Sequence, residues 1–223
     1  MIKATRKPWL LRLFRFYVQQ FLFKRSFSKV LIQVDEPFEQ NRPLLFIGNH
    51  SSWWDGMVAL LLTKHQLKQP LFMMMSEEGL KKYAFFRHFG AFSINRDKPK
   101  EMIQSLRYAQ EILTNNNSVW VFPQGEEQAL EKRPLGFLKG IGWLSDKAPQ
   151  HTDVVPITIS YAFADKRKPY LLIHIGKGQA TNALNGAIEE KTAFLEQLLT
   201  AQLDQQKQAI IKRDYTSYTV LTL

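Results

Sequence analysis

The stretch Leu44-Leu-Phe-Ile-Gly-Asn-His-Ser-Ser-Trp-Trp-Asp-Gly-Met57 decides the fold. Its apolar run Leu44–Ile47, entered from Pro43 and closed by Gly48, has the length and composition of a buried strand. Asn49, Ser51 and Ser52 are residue types that cap helix N-termini, and the apolar stretch Met57–Leu62 follows, so the segment reads strand, tight turn, helix. In open α/β sheets ligands gather at the carboxyl ends of strands, and this end carries His50 and Asp55. On a continuous helix residues at this spacing would lie about 140° apart. They meet only if His50 occupies the turn and Asp55 the first helical turn. There the carboxylate would accept a hydrogen bond from one ring nitrogen, fix the tautomer and leave the other nitrogen as a base. The plainer alternative is a turn histidine beside an acid that favours the helix dipole.

Outward from this turn, strand and helix patterns alternate. Val30–Val34 reads as a short strand, and Asp35–Arg42 as a polar connection ending at Pro43. A helix from Gly56 to about Lys64 gives way to the polar run Lys64–Gln69, after which Leu71–Met75 is a second buried strand. Glu77–Phe89 reads as helix, Ala91–Ile94 as strand, and Asn95-Arg96-Asp97 as the turn before Pro99. Pro99, Glu101 and the helical spacing of Ile103, Leu106, Ala109, Ile112 and Leu113 predict a helix ending in Asn115–Asn117. Val119–Phe122 is the next strand, stopped by Pro123-Gln124-Gly125. Leu135–Ala148 is expected to be mostly helical, Val154–Ser160 and Leu171–Ile175 to be strands, and Gly186–Arg213 a long helix or helix pair. The alternation predicts one α/β layered structure without an interdomain linker.

A length of 223 residues suits one large domain, and a hydrophobic content of 45% excludes wholesale disorder. The chain has no cysteine, which rules out disulfides, thiolate catalysis and cysteine-ligated zinc. Its five histidines show no His-x3-His or His-Glu-x2-His spacing, so they mark no dedicated metal site. Most of the formal charge of +10 sits in residues 1–30, with basic residues at 3, 6, 7, 12, 15, 24, 25 and 29 and no acid. That segment is also rich in Leu and Phe, but its charge-free run Phe16–Phe23 is far below the roughly 18–20 residues that span a bilayer. Arg12 and Arg15 interrupt the apolar region of any signal peptide. As a helix, Arg12, Arg15 and Gln19 form a narrow polar stripe against a broad apolar surface, the pattern of an interfacial helix on an anionic bilayer. The alternative is a helix that covers the domain's own core. Its aliphatic density is unlike a nucleic-acid arm, and nucleic acid is not an expected partner. The basic residues Lys81, Lys82, Arg87 and His88 read as a solvated face.

His50-Ser-Ser-Trp-Trp-Asp55 resembles the His-x4-Asp motif of the glycerolipid acyltransferases, the lysophospholipid and acylglycerol-phosphate acyltransferase family. Gly90-Ala-Phe-Ser-Ile-Asn-Arg96 is similar to that family's second block, Phe122-Pro-Gln-Gly125 to its third and Val155-Pro-Ile157 to its fourth, in the same order. Phe137 and Lys139 match the segment after the third block. The resemblance implies a central, mostly parallel or mixed sheet flanked by helices, with residues 1–30 as a membrane-associating segment and 31–223 as the acyltransferase domain. It implies transfer of a fatty acyl group to a lipid hydroxyl, with acyl-CoA or acyl carrier protein as donor and no bound cofactor. His50 would be the general base and Asp55 its orienting carboxylate. Gly90, Asn95, Arg96, Phe122, Pro123, Gln124, Gly125, Glu126, Lys139 and Pro156 would serve substrate binding, with Arg96 on a phosphate head group. The implied location is peripheral or monotopic, on the cytoplasmic face of the cell membrane.

The chemistry of these blocks adds three expectations. No Gly-x-Ser-x-Gly nucleophile elbow occurs, so direct attack by the acceptor hydroxyl is expected, and a lipid hydrolase is disfavoured. Backbone N–H groups around Gly125 are candidate oxyanion donors, because a glycine turn lets the backbone approach a ligand. The third block departs from the family's Phe-Pro-Glu-Gly-Thr/Ser-Arg pattern: Gln124 replaces the glutamate, and Glu126-Glu127 replace the hydroxyl-arginine pair. Two carboxylates repel phosphate and suit polyol hydroxyls, so a neutral or glycolipid acceptor is a rival to lysophosphatidic acid, unless Lys132 and Arg133 pair with the acids. A catalytically inert lipid-binding module remains the rival from another class.

Overall fold

A computed structural model describes residues 1–37, 42–65 and 67–223. Helix α1 (Pro8–Tyr17) runs through a wider π-helical stretch (Val18–Phe23) into the short α2 (Lys24–Ser26), and strand β1 (Lys29–Val34) follows. Next come β2 (Leu44–Gly48), α3 (Trp54–His65), β3 (Leu71–Ser76), α4 (Glu77–Lys82), β4 (Ala91–Ile94) and the long helix α5 (Pro99–Thr114). The chain continues through β5 (Ser118–Val121), α6 (Gly140–Lys147), β6 (Asp153–Ala162), β7 (Tyr170–Ile175), β8 (Gln179–Ala180), α7 (Ile188–Lys212) and β9 (Thr219–Val220). Phe38–Asn41, within the expected 35–42 connection, and Gln66, within the polar run after α3, lie outside the described residues.

Among the described residues one nine-stranded sheet forms, in the order β4-β3-β5-β2-β6-β7-β1-β9, with β8 on β6. Strand β2 pairs in parallel with β5 on one side and β6 on the other, and all five of its residues are buried. A strand covered on both faces has no polar side, which is why it reads as a continuous apolar run. Leu44 and Phe46 pack toward α3 with Met57 and Leu61, whereas Leu45 and Ile47 pack with Leu113, Leu144 and Leu199 of α5, α6 and α7. The sheet is mixed, because β7 runs antiparallel to β6. Since β3, β5 and β6 all run in the direction of β2, their carboxyl ends open on one side of the sheet.

Two predicted helices come out differently, and a third open reading is decided. The expected Glu77–Phe89 helix breaks at Tyr83, and Ala84–Phe89 tightens into a 3-10 turn that Gly90 closes with a left-handed φ of 111°. The expected Leu135–Ala148 helix starts only at Gly140. Before it, Gly136 is left-handed, and the N–H groups of Gly136 and Phe137 donate to the Glu196 carboxylate of α7 at 2.8 and 2.9 Å instead of entering a helix. The region 186–213 is one helix, not a pair.

The amino-terminal segment shares the domain's core. The Ile2 N–H donates to Ser93 Oγ at 2.7 Å, and the Ile2 carbonyl accepts the Ser93 N–H at 2.9 Å. Leu11, Val18, Phe23 and Phe27 are buried with the α3 face of the sheet, and β1 begins one residue before the expected boundary at residue 30. Two members of the polar stripe turn inward: Gln19 is 2% exposed, and Arg15 reaches Thr63 of α3, while Arg12 stays exposed. Trp9, Leu13, Phe16, Tyr17 and Phe21 point outward instead, Trp9 at 65% and Phe16 at 58% exposure. Among the described residues no helix is long and apolar enough to cross a membrane.

Candidate active site

The turn after β2 is bolted to the neighbouring strand before any chemistry begins. Buried Asn49 donates through Nδ2 to the Ile159 carbonyl at 3.0 Å and accepts from the Ile159 N–H at 2.8 Å, replacing the ladder bonds that β2 gives up where it turns. Asp55 sits in the first turn of α3, fully buried, and its Oδ2 accepts from the Ser51 and Ser52 N–H groups at 2.7 and 2.8 Å. The same oxygen meets His50 Nδ1 at 3.1 Å. This is the geometry the spacing requires, with the histidine in the turn and the acid in the helix. Ser52 also has a capping role, since its Oγ accepts from the Trp54 N–H at 3.3 Å.

Tyr161 completes the arrangement: its hydroxyl donates to Asp55 Oδ1 at 2.5 Å. Burial first, and then the negative charge of Asp55, push the Tyr161 hydroxyl far above its ordinary pKa, so it stays a donor. Sequence reasoning missed this residue. The available signal was strand alternation from the fourth block, which places Val155, Ile157, Ile159 and Tyr161 on the α3 face of β6.

The imidazole ring stacks on Phe122 at a centroid distance of 4.2 Å and a tilt of 14°. Gln124, nearly fully buried, accepts the His50 N–H at 2.7 Å, and the His50 carbonyl accepts the Gln128 N–H at 2.9 Å. A glutamine keeps the acceptor that a glutamate would offer and brings no charge into the buried turn. Pro123 is buried beneath, its carbonyl accepting the Leu138 N–H at 2.9 Å. Gly125 has a φ of +76°, and a Cβ there would stand 2.6 Å from both an Arg96 Nη1 and a Leu138 methyl. The Gly125 N–H itself closes the turn onto the Phe122 carbonyl at 3.0 Å. Of the donors expected around this glycine, the N–H groups of Glu126 and Glu127 are the ones without a protein partner among the described residues.

With Nδ1 engaged, Nε2 is the nitrogen left for chemistry, and His50 lines a cavity of about 570 Å³. The walls are largely apolar and come from both faces of the sheet: Met57, Leu60, Met75 and Phe86 on the α3 side, Leu106, Ile141 and Leu144 on the other. Its polar groups include Arg96, Glu126 and Glu127, and Glu127 Oε1 stands 3.8 Å from His50 Nε2. Arg96 forms no ion pair with Asp97, or with any acid, among the described residues. Neither Glu126 nor Glu127 pairs with a lysine or arginine there, and Arg133 instead binds Asp204 at 2.6 Å.

The remaining predicted binding residues stand away from this cavity. Asn95 donates to Glu77 at 2.9 Å, and Lys81 and then Asn95 hold the Glu77 carboxyl at about 2. Gly90 serves strand packing, since a Cβ would meet the Leu71 carbonyl at 2.6 Å. Lys139 is 73% exposed and paired with Glu189 at 2.8 Å, outside the cavity that its neighbours Leu138 and Gly140 line. The Pro156 carbonyl accepts the N–H of Gly176, just past β7, at 2.9 Å and the Gln202 amide of α7 at 3.5 Å.

Comparison with known proteins bears on the fold and the family. No curated protein sequence matches the chain. Among solved structures it is similar to the 1-acyl-sn-glycerophosphate (LPA) acyltransferase PlsC of Thermotoga maritima, with a TM-score of 0.65 over 89% of this chain and 80% of that one, at 17% identity. At that identity the likeness speaks for the α/β fold. Residues 29–160, more than half of the chain and the whole of the His50 turn, Arg96 and Gly125 region, match the acyltransferase family, and to that family the chain belongs.

Proposed function

We propose that the protein is an O-acyltransferase that moves a fatty acyl group from a coenzyme A or acyl-carrier-protein thioester to a hydroxyl of a lysophospholipid or related lipid. The observation that carries this reading is His50 held through Nδ1 by buried Asp55 while its ring lines a largely apolar cavity. In the proposed reaction His50 Nε2 takes the proton of the acceptor hydroxyl as its oxygen attacks the thioester carbonyl. The tetrahedral oxyanion faces the open N–H groups of the 125–127 turn. Its collapse breaks the C–S bond, and the departing thiolate takes the proton back from the imidazolium. Asp55, itself held by Tyr161, fixes the tautomer of the neutral ring and keeps the imidazolium in the same orientation. The apolar walls suit an acyl chain, and their methionines adapt to its shape.

A second reading concerns the acceptor. The unpaired Arg96 suits a phosphate, but two carboxylates share the cavity with it, one of them beside His50. That balance favours a lysolipid or glycolipid with a weakly charged or hydroxyl-rich head over lysophosphatidic acid. The exposed aromatic face of α1 supports peripheral attachment to a bilayer, on the cytoplasmic side where thioester donors are made. Purified protein given acyl-CoA and a panel of lysolipids should release thiol. Full turnover by His50→Ala or Asp55→Asn would overturn the residue assignment, and no thiol with any donor and acceptor pair would favour the inert lipid-binding module.

A further inference from the structure

The amino-terminal helix borders a second cavity, an open recess of about 380 Å³, against the segment that leads from α3 into β3. It shares no lining residue with the catalytic cavity. Its charged lining is Arg6, Arg12, Arg15 and Lys68, with no carboxylate among the described residues. The Nε atoms of Arg6 and of Arg15 are both buried without a hydrogen-bond partner among the described residues. Unpaired donors on buried charges are unfavourable, and here two guanidinium groups share one recess. Burial, and next a neighbouring arginine, lower the pKa of each.

Local contacts account for part of this arrangement. Arg15 Nη1 donates to Thr63 Oγ1 at 3.2 Å on the last turn of α3, where a cation suits the carboxyl end of a helix. The Arg6 guanidinium stands 5.2 Å from the centre of the Phe72 ring. Neither contact uses the Nε donors or supplies negative charge. An anion would do both, and the planar guanidinium fork matches phosphate best. We propose that this cavity binds the phosphate group of an anionic membrane lipid. The source follows from the helix itself: Arg12 and Arg15 flank the outward stripe of Trp9, Leu13 and Phe16, so the recess opens beside the surface that would enter a bilayer. Gln69 adds a buried Oε1 without a partner among the described residues, while its Nε2 is committed to the Arg42 carbonyl. That acceptor suits a head-group hydroxyl, and phosphoglycerol carries both phosphate and hydroxyl.

The inference rests on the membrane reading of α1 but not on catalysis. The test measures binding of the full chain to phosphatidylcholine vesicles with and without phosphatidylglycerol. Wild type should prefer the phosphatidylglycerol vesicles by about tenfold or more. Arg6→Gln and Arg15→Gln should each remove most of that preference, whereas Arg25→Gln, an equal loss of charge outside the cavity, should leave it within about twofold. Arg12 is exposed, so Arg12→Gln keeps the idea exposed to failure if the buried replacements do not fold. An equal loss in Arg25→Gln would reduce the effect to diffuse surface charge and overturn the site. Absence of binding to either vesicle would sink the membrane reading itself. Inorganic phosphate that raises the melting temperature of wild type, with unchanged lipid preference in the variants, would assign the recess to a soluble anion and overturn the lipid.

Discussion

Both oxygens of Asp55 are committed, Oδ2 to His50 and two backbone N–H groups and Oδ1 to Tyr161, so single substitutions here separate proton transfer from support. His50→Ala should lower kcat by about 10²–10⁴ while the melting temperature changes little, because the ring is half-buried and its backbone bonds persist. Tyr161→Phe leaves a buried carboxyl oxygen without its donor and should cost about 1–3 kcal/mol in urea unfolding. The same residue gives a pH signature. Its folded pKa lies above the roughly 10 of an unfolded tyrosine, so its share of stability is complete below that pH and is lost as pH rises through the folded value. Urea midpoints of wild type should therefore fall more steeply above about pH 10 than those of Tyr161→Phe. The His50–Asp55 pair was legible because its spacing admits one meeting geometry. Tyr161 was not, because its approach depends on the pairing of β6 with β2, a contact between residues 106 positions apart.

Amphipathic patterning of the first helix was equally legible, but its orientation was not. A polar stripe and an apolar surface say that two faces differ; which one meets the protein depends on what the domain offers. Here α3 offers Thr63 to Arg15, and the aromatic side is left outside. Leu13→Glu or Phe16→Glu should abolish vesicle flotation and leave the melting temperature nearly unchanged, whereas Phe23→Ala, on the inner side, should cost about 3–5 kcal/mol. If the outer variants melt like the inner one, the exposed face is not free. The shortened α6 carries a related lesson. Gly136 permits the left-handed turn, but the carboxylate that makes it favourable belongs to Glu196, sixty residues further on.

At the scale of the molecule, alternating patterns gave the α/β class, while strand order stayed hidden in the crossovers: β5 inserts between β3 and β2, and β7 reverses direction. The shared core also changes what truncation does. Removing residues 1–30 strips Leu11, Val18, Phe23 and Phe27 from the sheet and takes the first residues of β1, so the product should lose its cooperative thermal transition rather than become a soluble enzyme. On the proposed reading, Glu126 and Glu127 oppose Arg96 in choosing the acceptor head group. Glu127→Arg should shift turnover toward lysophosphatidic acid relative to glycolipid in a mixed-acceptor assay, and an unchanged ratio would remove the acid from head-group selection. Glu126 and Glu127 are exposed, while the turn behind them is fastened by Asn49, Gln124 and the His50 backbone. Exposed replacements of this kind usually alter stability by no more than about 0.5 kcal/mol. On the proposed reading, two codons of a descendant of this protein would reset its choice of lipid while the folded scaffold behind them stayed as it is.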